Sequence, residues 1–444
     1  MNNLIRDLIS KGSFIIVRNE ILKMNVVDIA QLIDELDEED TLVLFRLLPK
    51  DIAAEVFSYM SYEQQQFIIT SIADKEIKNI IDELLLDDTI DFIEEMPANI
   101  VKKVLKNTSE QRRKLINQFL KYPEDSAGSV MTIEFVDLKK EMSVKSALEH
   151  IKRTGVDKET IDVCYVIDNN RKLEGMLPIR KLILSEETVN IADIMEINVI
   201  SAFTHDTQEG VAKLFKKYDL VAMPVVDNES RLVGIITIDD VLDIIEKENT
   251  EDFYKMAAME PSEEEYLKTS VFSLAKHRIM WLLVLMISAT FTGGIIKKCE
   301  DILQSVLILA AYIPMLMDTG GNAGSQSSTL VIRGLALGQI KLNDIGKIIW
   351  KELRVAIIVG FTLATVNFVR ILFIDKTNAM VGITVNITLF ITIIISKVIG
   401  GTLPLLAKKF KMDPAIMASP LITTIVDALA LMSYFSIAKL LLKI

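Results

Sequence analysis

Cysteine is nearly absent: Cys164 and Cys299 are the two in 444 residues. They cannot build a disulfide framework or a thiolate metal cluster. Histidine is almost as scarce, and His150, His205 and His277 are too scattered for the usual zinc spacings. The first residues, MNNLIRDLISKG, hold no apolar signal-peptide core, so the front half is expected to stay in the cytoplasm. A basic stripe is missing too, which argues against nucleic acid as a partner, because phosphates need clustered Lys and Arg. No phosphate-cradling glycine loop, nucleophile–base pair or metal-hydrolase spacing is present, so the chain does not read as an enzyme.

What is present sits oddly together. Half of the chain is hydrophobic, a quarter is charged, and the mean hydropathy is +0.34. The length alone suggests two to four domains at about 150 residues each. Charge is segregated between them. Residues 276–444 hold 17 Lys and Arg against 8 Asp and Glu, a net of +9. Residues 1–275 hold the other 32 against 53, a net of −21, and the two give the formal −12.

Five apolar stretches follow residue 278, at about 279–296, 302–317, 350–374, 380–407 and 415–442. A membrane span needs about 20 mostly apolar residues. The second stretch is short but runs on into a small-residue segment able to stay helical. Basic residues concentrate in alternate loops: Lys276 and Arg278, then Arg333, Lys341, Lys347, Lys351 and Arg354, then Lys408, Lys409 and Lys411. By the positive-inside rule, five spans put the N-terminus inside and the C-terminus outside.

Two places break the apolar pattern. Asp427 stands near the middle of the last stretch, with Thr423 and Thr424 on the same helix face. A carboxylate at bilayer depth costs about 2.5–3.5 kcal/mol on insertion scales, so it marks an ion path or a buried partner. Lys397 of the fourth stretch is the alternative, purely structural partner. The other place is IPMLMDTGGNAGSQSSTLVIRGLALG, where Gly320 and Gly324 permit close helix approach. Asn322, Ser325, Gln326, Ser327, Ser328 and Thr329 crowd neutral polar groups there; a polar cytoplasmic loop is the bland alternative. Neutral oxygens with one carboxylate per chain suit a hard cation such as Mg²⁺, held through its own waters. One Asp per chain suggests a dimer.

The front half contains a repeat. CYVIDNNRKLEGMLPIRKLIL at 164–184 matches MPVVDNESRLVGIITIDDVLD at 223–243 at a constant offset of 59. Each copy reads as strand, tight turn, strand, helix, with a further helix upstream at 144–153 and 207–218. Residues 1–125 read as short amphipathic helices joined by acidic turns, a small helical superhelix. Beyond the repeat, Asp240, Asp243, Glu246, Glu248, Glu251, Asp252, Glu260 and Glu263–Glu265 run along a connector into the first span. Like charges 6 Å apart repel by about 3 kcal/mol at an effective dielectric near 20, less where salt screens them. Divalent cations between them reverse that sign, which makes a sensor; a passive charged linker is the plainer reading.

The repeat resembles a tandem CBS module, and Gly234, Thr237, Asp239 and Asp240 resemble its ribose-phosphate motif, so an adenosine nucleotide such as ATP is a candidate ligand of the second copy. Pro178 and Lys181 take the corresponding places in the first. Taken with YPEDSAGSVMT at 122–132, NTEDFYKMAAMEPSEEEYLKTSVFSLAKHR at 249–278, the glycine–asparagine block and DPAIMASPLITTIVDALALMSYF at 413–435, the whole chain resembles the MgtE-type magnesium transporters. The resemblance implies a multidomain α+β membrane protein: an all-α superhelical N-domain at 1–128, a tandem CBS (α/β) module at 129–245, a connecting plug helix at 246–274 and a five-helix transmembrane domain at 275–444. It implies a homodimeric channel of the cell membrane that imports hydrated Mg²⁺, with Asp427 selecting the ion. The plug closes when cytosolic Mg²⁺ binds sensor carboxylates, here Asp240, Asp243, Glu248, Glu251 and Asp252, with Asp219 and Glu209 of the second CBS copy. Asp87, Asp88 and Asp91 are similar to N-domain acids that share this ion. Thr207 and Gly210 stand where similar sequences often carry acids, so the sensor here is expected to hold fewer ions or hold them more weakly. The rival readings are a less selective Co²⁺, Ni²⁺ or Mn²⁺ transporter on the same scaffold, a membrane enzyme using Mg²⁺, and a regulatory scaffold without transport.

Overall fold

The acidic front of the chain folds as ten helices: α1 (Asn2–Ser10), α2 (Phe14–Ile21), α3 (Val26–Asp34), α4 (Glu38–Leu47), α5 (Lys50–Ser58), α6 (Tyr62–Ser71), α7 (Asp74–Glu83), α8 (Leu86–Glu95), α9 (Ala98–Asn107) and α10 (Glu110–Phe119). In this computed structural model the described residues are 2–262, 266, 267 and 269–443. Several of the short helices begin at a capping residue or a proline. Asn25, Asp37 and Ser109 accept backbone N–H groups of the following turn, and Pro49 and Pro97 stand at the caps of α5 and α9. Helices then pack at every second place, α3 on α5 on α7 on α9 and α4 on α6 on α8 on α10. That alternation is what makes a superhelix, and it buries one apolar stripe per helix. Phe57 and Phe92 meet edge-to-face at 5.1 Å inside it.

The repeat folds as two three-stranded sheets of one topology. In the first, β1 (Asp137–Leu138) pairs parallel with β2 (Val163–Ile167), which pairs antiparallel with β3 (Leu173–Pro178). In the second, β4 (Ala202–Phe203), β5 (Ala222–Val226) and β6 (Leu232–Thr237) do the same. The 59-residue offset reaches the details. Val166 faces Gly175 as Val225 faces Gly234, and the register shifts after both valines. Asp168 Oδ1 accepts from the N–H groups of Asn170 and Lys172, and Asp227 Oδ1 from those of Glu229 and Arg231. Arg171 and Ser230 share a left-handed φ near 60°. Helices α11 (Val144–Thr154), α12 (Ile179–Ile183) and α13 (Ile191–Ile194) flank the first sheet, and α14 (Gln208–Tyr218) precedes β5. The symmetry ends at the last helix: α12 stops after five residues, whereas α15 (Ile238–Met256) runs for nineteen. These elements make one unit, Met1–Ile245, and Glu246–Ile444 make a second.

The second unit is helical: α16 (Val271–Lys298), α17 (Glu300–Ser305), α18 (Ile313–Ala336), α19 (Ile345–Arg370), α20 (Ala379–Lys409) and α21 (Ser419–Leu442). Among the described residues four segments are long and apolar enough to cross a membrane: Val271–Lys298, Leu342–Asp375, Ala379–Lys409 and Pro414–Leu442. The second apolar stretch, 302–317, runs on into a helix as expected, but its own residues are not one continuous helix. It is divided among α17, a 3-10 turn (Leu307–Tyr312) and the first turn of α18. Pro314 opens α18, and Tyr434 donates its hydroxyl to the Leu309 carbonyl at 3.0 Å, pinning the turn. The small polar block that follows is not a loop. It is the body of α18, 24 residues and about 36 Å long, packed against α20 and α21.

Glycine makes that packing possible. A Cβ on Gly320 would lie 2.7 Å from Thr392, and one on Gly400 would overlap the Gly324 carbonyl oxygen. Around the bundle, α16 turns Ile279, Leu282, Ile287 and Phe291 outward. Such a continuous exposed apolar surface suits lipid.

Candidate metal sites

The first unit gathers acids from distant segments into one cleft of about 740 Å³. Asp87, Asp88 and Asp91 enter from α8, and Asp240 and Asp243 from the start of α15. These five sequence-predicted residues therefore share a place. Asp239, read from sequence only as part of a nucleotide motif, also lines it, as do four acids that sequence reasoning missed: Asp51, Glu55, Glu83 and Glu159. Lys158 is the cation among the lining residues. Glu159 follows a 3-10 turn (Gly155–Asp157) that lies outside any repeat match, so no motif flagged it; its N–H donates to the Glu134 carbonyl at 2.8 Å.

The cleft pushes its acids toward the neutral form. Burial is the first cause for each, and neighbouring carboxylates add to it. Asp88 is raised to about 6, and Asp91, Glu159 and Asp240 to about 7. Asp87 is raised well above the usual carboxylate range, by burial and then by Asp240 and Asp88. Thr237 offsets part of this at Asp240, donating its N–H at 3.2 Å and its hydroxyl at 2.9 Å to Oδ2.

The sign for stability follows from linkage. An acid whose folded pKa lies above its unfolded one binds more protons when folded, so stability falls as pH rises. The fall begins above the unfolded values of 3.8 and 4.5 and is complete above about 7. In chelator, the melting temperature is expected to drop as pH rises from about 4.5 through about 7 and to level off only once these acids are ionised. Thermal melts across that range check it, and a melting temperature rising with pH would contradict it.

The other predicted sensor acids are not among the residues lining the cleft. Glu209 lies in the first turn of α14, ion-paired with Lys213, and Asp219 is the left-handed cap at its C-terminal end. Neither lines the cleft. Thr207 caps α14, accepting from the Gly210 N–H at 3.2 Å. Glu248, Glu251 and Asp252 occupy the second half of α15 in the other unit. Glu251 pairs with Lys255, whose ammonium also donates to Asp413 Oδ2 at 2.6 Å. Burial opposes the Lys255 charge, but these two carboxylates outweigh it and hold the ammonium above its ordinary range. The Glu260 N–H donates to the His277 carbonyl, and Glu263–Glu265 lie outside the described residues.

In the membrane unit Asp427 is the ninth residue of α21, about 12 Å from its start and half-buried. Thr423 and Thr424 both donate to the Pro420 carbonyl, at 2.9 and 3.0 Å, which leaves their outward lone pairs as acceptors. Lys397 is not its partner. That ammonium is buried beside Ser327, 3.4 Å from its hydroxyl, and Ser327 donates to Glu352 Oε2 at 2.6 Å. A Lys–Ser–Glu chain thus joins α20, α18 and α19, and sequence spacing gave no sign of it.

Among the described residues no three His, Cys, Asp or Glu side chains stand close enough to chelate a bare metal ion. Mutually repelling carboxylates spread over a cleft, or set singly on a helix, can instead hold an ion through its water shell, as suits Mg²⁺.

The model of the divalent cation transporter family MgtE matches residues 313–437. That of the MgtE intracellular N domain matches 24–125, and that of the CBS domain 191–247. The magnesium transporter MgtE of Thermus thermophilus is 35% identical over 442 residues, 99% of this chain and 98% of that one. That of Bacillus subtilis is 34% identical, over 93% of each. A crystal structure of the cytosolic domain of the Mg²⁺ channel MgtE in complex with ATP is 35% identical, with a TM-score of 0.52, over 55% of this chain and 100% of that one. With near-complete coverage of both chains at this identity, the chain belongs to the MgtE family, whose members are transporters and not enzymes.

Proposed function

We propose that this chain is a homodimeric Mg²⁺ channel of the cell membrane, closed from inside by the ion it imports. The observation that carries the reading is Asp427, a carboxylate at bilayer depth beside the glycine-rich α18. Such a charge is retained where it serves an ion path. Five crossings, with α18 as the second, put the N-terminus inside and the C-terminus outside. The division is a helical N-domain at 1–128, tandem CBS at 129–245, connector at 246–274 and membrane domain at 275–444.

In this reading, Asp87, Asp88, Asp91, Asp240 and Asp243 bind cytosolic Mg²⁺ in the cleft, with Glu248, Glu251, Asp252, Asp219 and Glu209 as further sensor carboxylates. Repulsion holds the acids apart or neutral at low Mg²⁺, and bound ion draws them together. Added Mg²⁺ at pH 7.5 is expected to raise the melting temperature and flatten its pH dependence, since it binds the ionised form. A nucleotide at Gly234, Thr237 and Asp240 is a second ligand of this module, favoured by the ATP complex of the similar cytosolic domain. Asp240 faces the acidic cleft, so a polyphosphate has to approach from elsewhere or bring a divalent cation.

Uptake into liposomes loaded with a Mg²⁺ dye tests the function. Uptake that survives excess Co²⁺, Ni²⁺ or Mn²⁺ supports a Mg²⁺ channel. Equal competition by those ions gives the less selective divalent transporter instead.

A further inference from the structure

Glycine contacts fix how α18 runs against α21. A Cβ on Gly324 would lie 2.7 Å from Ile422, one on Gly321 2.8 Å from Thr423, and one on Gly320 2.9 Å from Val426. Partners climb α21 as positions descend α18, so the helices are antiparallel. The Tyr434 hydroxyl on the Leu309 carbonyl extends the same series. One step beyond the Gly320–Val426 contact, the level of Asp318 meets that of Asp427. Asp318 is also the charged group that acts electrostatically on Asp427.

Both carboxylates lie on a face that this chain's own helices leave open, Asp318 exposed and Asp427 half-covered. Lipid does not tolerate two acids at that depth, so the face borders water or a second copy. Two cations of the neighbouring helices are engaged elsewhere, Lys397 at Ser327 and Arg370 with Asp375 at 3.5 Å. Behind the pair, Thr392 is buried against Gly320, and its hydroxyl has no hydrogen-bond partner among the described residues.

We propose that Asp318 is a second carboxylate of the cation path, standing beside Asp427 so that one chain offers a permeating hydrated divalent ion two negative charges. The inference rests on the reading of Asp427 as the path's acid and extends it to specificity. Two carboxylates balance a doubly charged ion and its polarised waters. A monovalent ion leaves one of them uncompensated and gains less. In the homodimer the two Asp427 carboxylates already match a doubly charged ion, and Asp318 adds a second acid per chain that sharpens the preference for divalent over monovalent cations.

The test uses the full chain in liposomes, with Mg²⁺ and Na⁺ fluxes measured in parallel for wild type, Asp318→Asn, Asp318→Glu and Asp427→Asn. Asp318→Asn is expected to raise the half-saturating Mg²⁺ concentration about tenfold and to raise the Na⁺-to-Mg²⁺ flux ratio. Asp318→Glu, which keeps the charge, restores both toward wild type. Asp318→Ser, matching the serines of the same helix in size, replaces Asp318→Asn should that variant fail to insert. Wild-type half-saturation and wild-type Na⁺ exclusion in the neutral variant overturn the inference. If Asp427→Asn is impaired in that experiment, the reading of Asp427 survives without Asp318; if Asp427→Asn is also unchanged, both fall.

Discussion

Asp427→Ala is expected to reduce Mg²⁺ uptake to that of protein-free liposomes while leaving the protein at least as stable as wild type. The two effects have opposite signs for a physical reason. Removing a carboxylate from bilayer depth relieves an insertion cost of about 2.5–3.5 kcal/mol. Lys397, the residue most able to be stranded by the change, is beside Ser327 and loses nothing. A structural acid behaves otherwise, because deleting it orphans a partner and lowers the melting temperature. Uptake and thermal melts on one preparation separate the cases. Undiminished, selective uptake would remove Asp427 from the path, and a melting temperature several degrees lower would make it a structural group.

Gly400→Ala is the second large effect. The added methyl overlaps the Gly324 carbonyl oxygen, a backbone atom that cannot rotate out of the way. Overpacking of this kind costs about 1–3 kcal/mol, and more where backbone has to move. For a unit of this size that is a loss of roughly 3–10 °C in melting temperature. Gly346 is the control. Nothing lies within 4 Å of a Cβ there, so Gly346→Ala is expected to be neutral or slightly stabilising. Equal melting temperatures for the two variants would mean that α18 and α20 do not meet through these glycines.

Periodic features were the legible ones. The 59-residue offset foretold two like sheets because an Asp-capped turn between β-branched strands is a local device, complete within about ten residues. The short acidic helices announced themselves by apolar stripe and acidic turn. The small-residue pattern at Gly320 and Gly324 pointed to close packing and the helix bore it out. The second apolar stretch was legible in part: it does run on into the helical small-residue segment, but hydropathy did not show that its own residues are divided into three pieces, with Pro314 opening α18. Sites were legible only in part. Asp240 stood out inside the acidic connector and Asp87 came only through the family resemblance, whereas Glu159 reaches the same cleft through tertiary placement alone. The bond from Lys255 to Asp413 spans 158 positions, and no local pattern encodes it.

The seam between α18 and α20 has a mechanical consequence. Two helices that touch backbone to backbone, with Gly324 seated on Gly400 and Ser327 reaching between Lys397 and Glu352, have no soft layer of side chains on which to slide. They move as one beam. Any movement within the membrane unit then falls to the elements that grip this beam lightly, above all α16 with its outward apolar face. Amide hydrogens along the seam should be the last in the unit to exchange, whichever state the path is in.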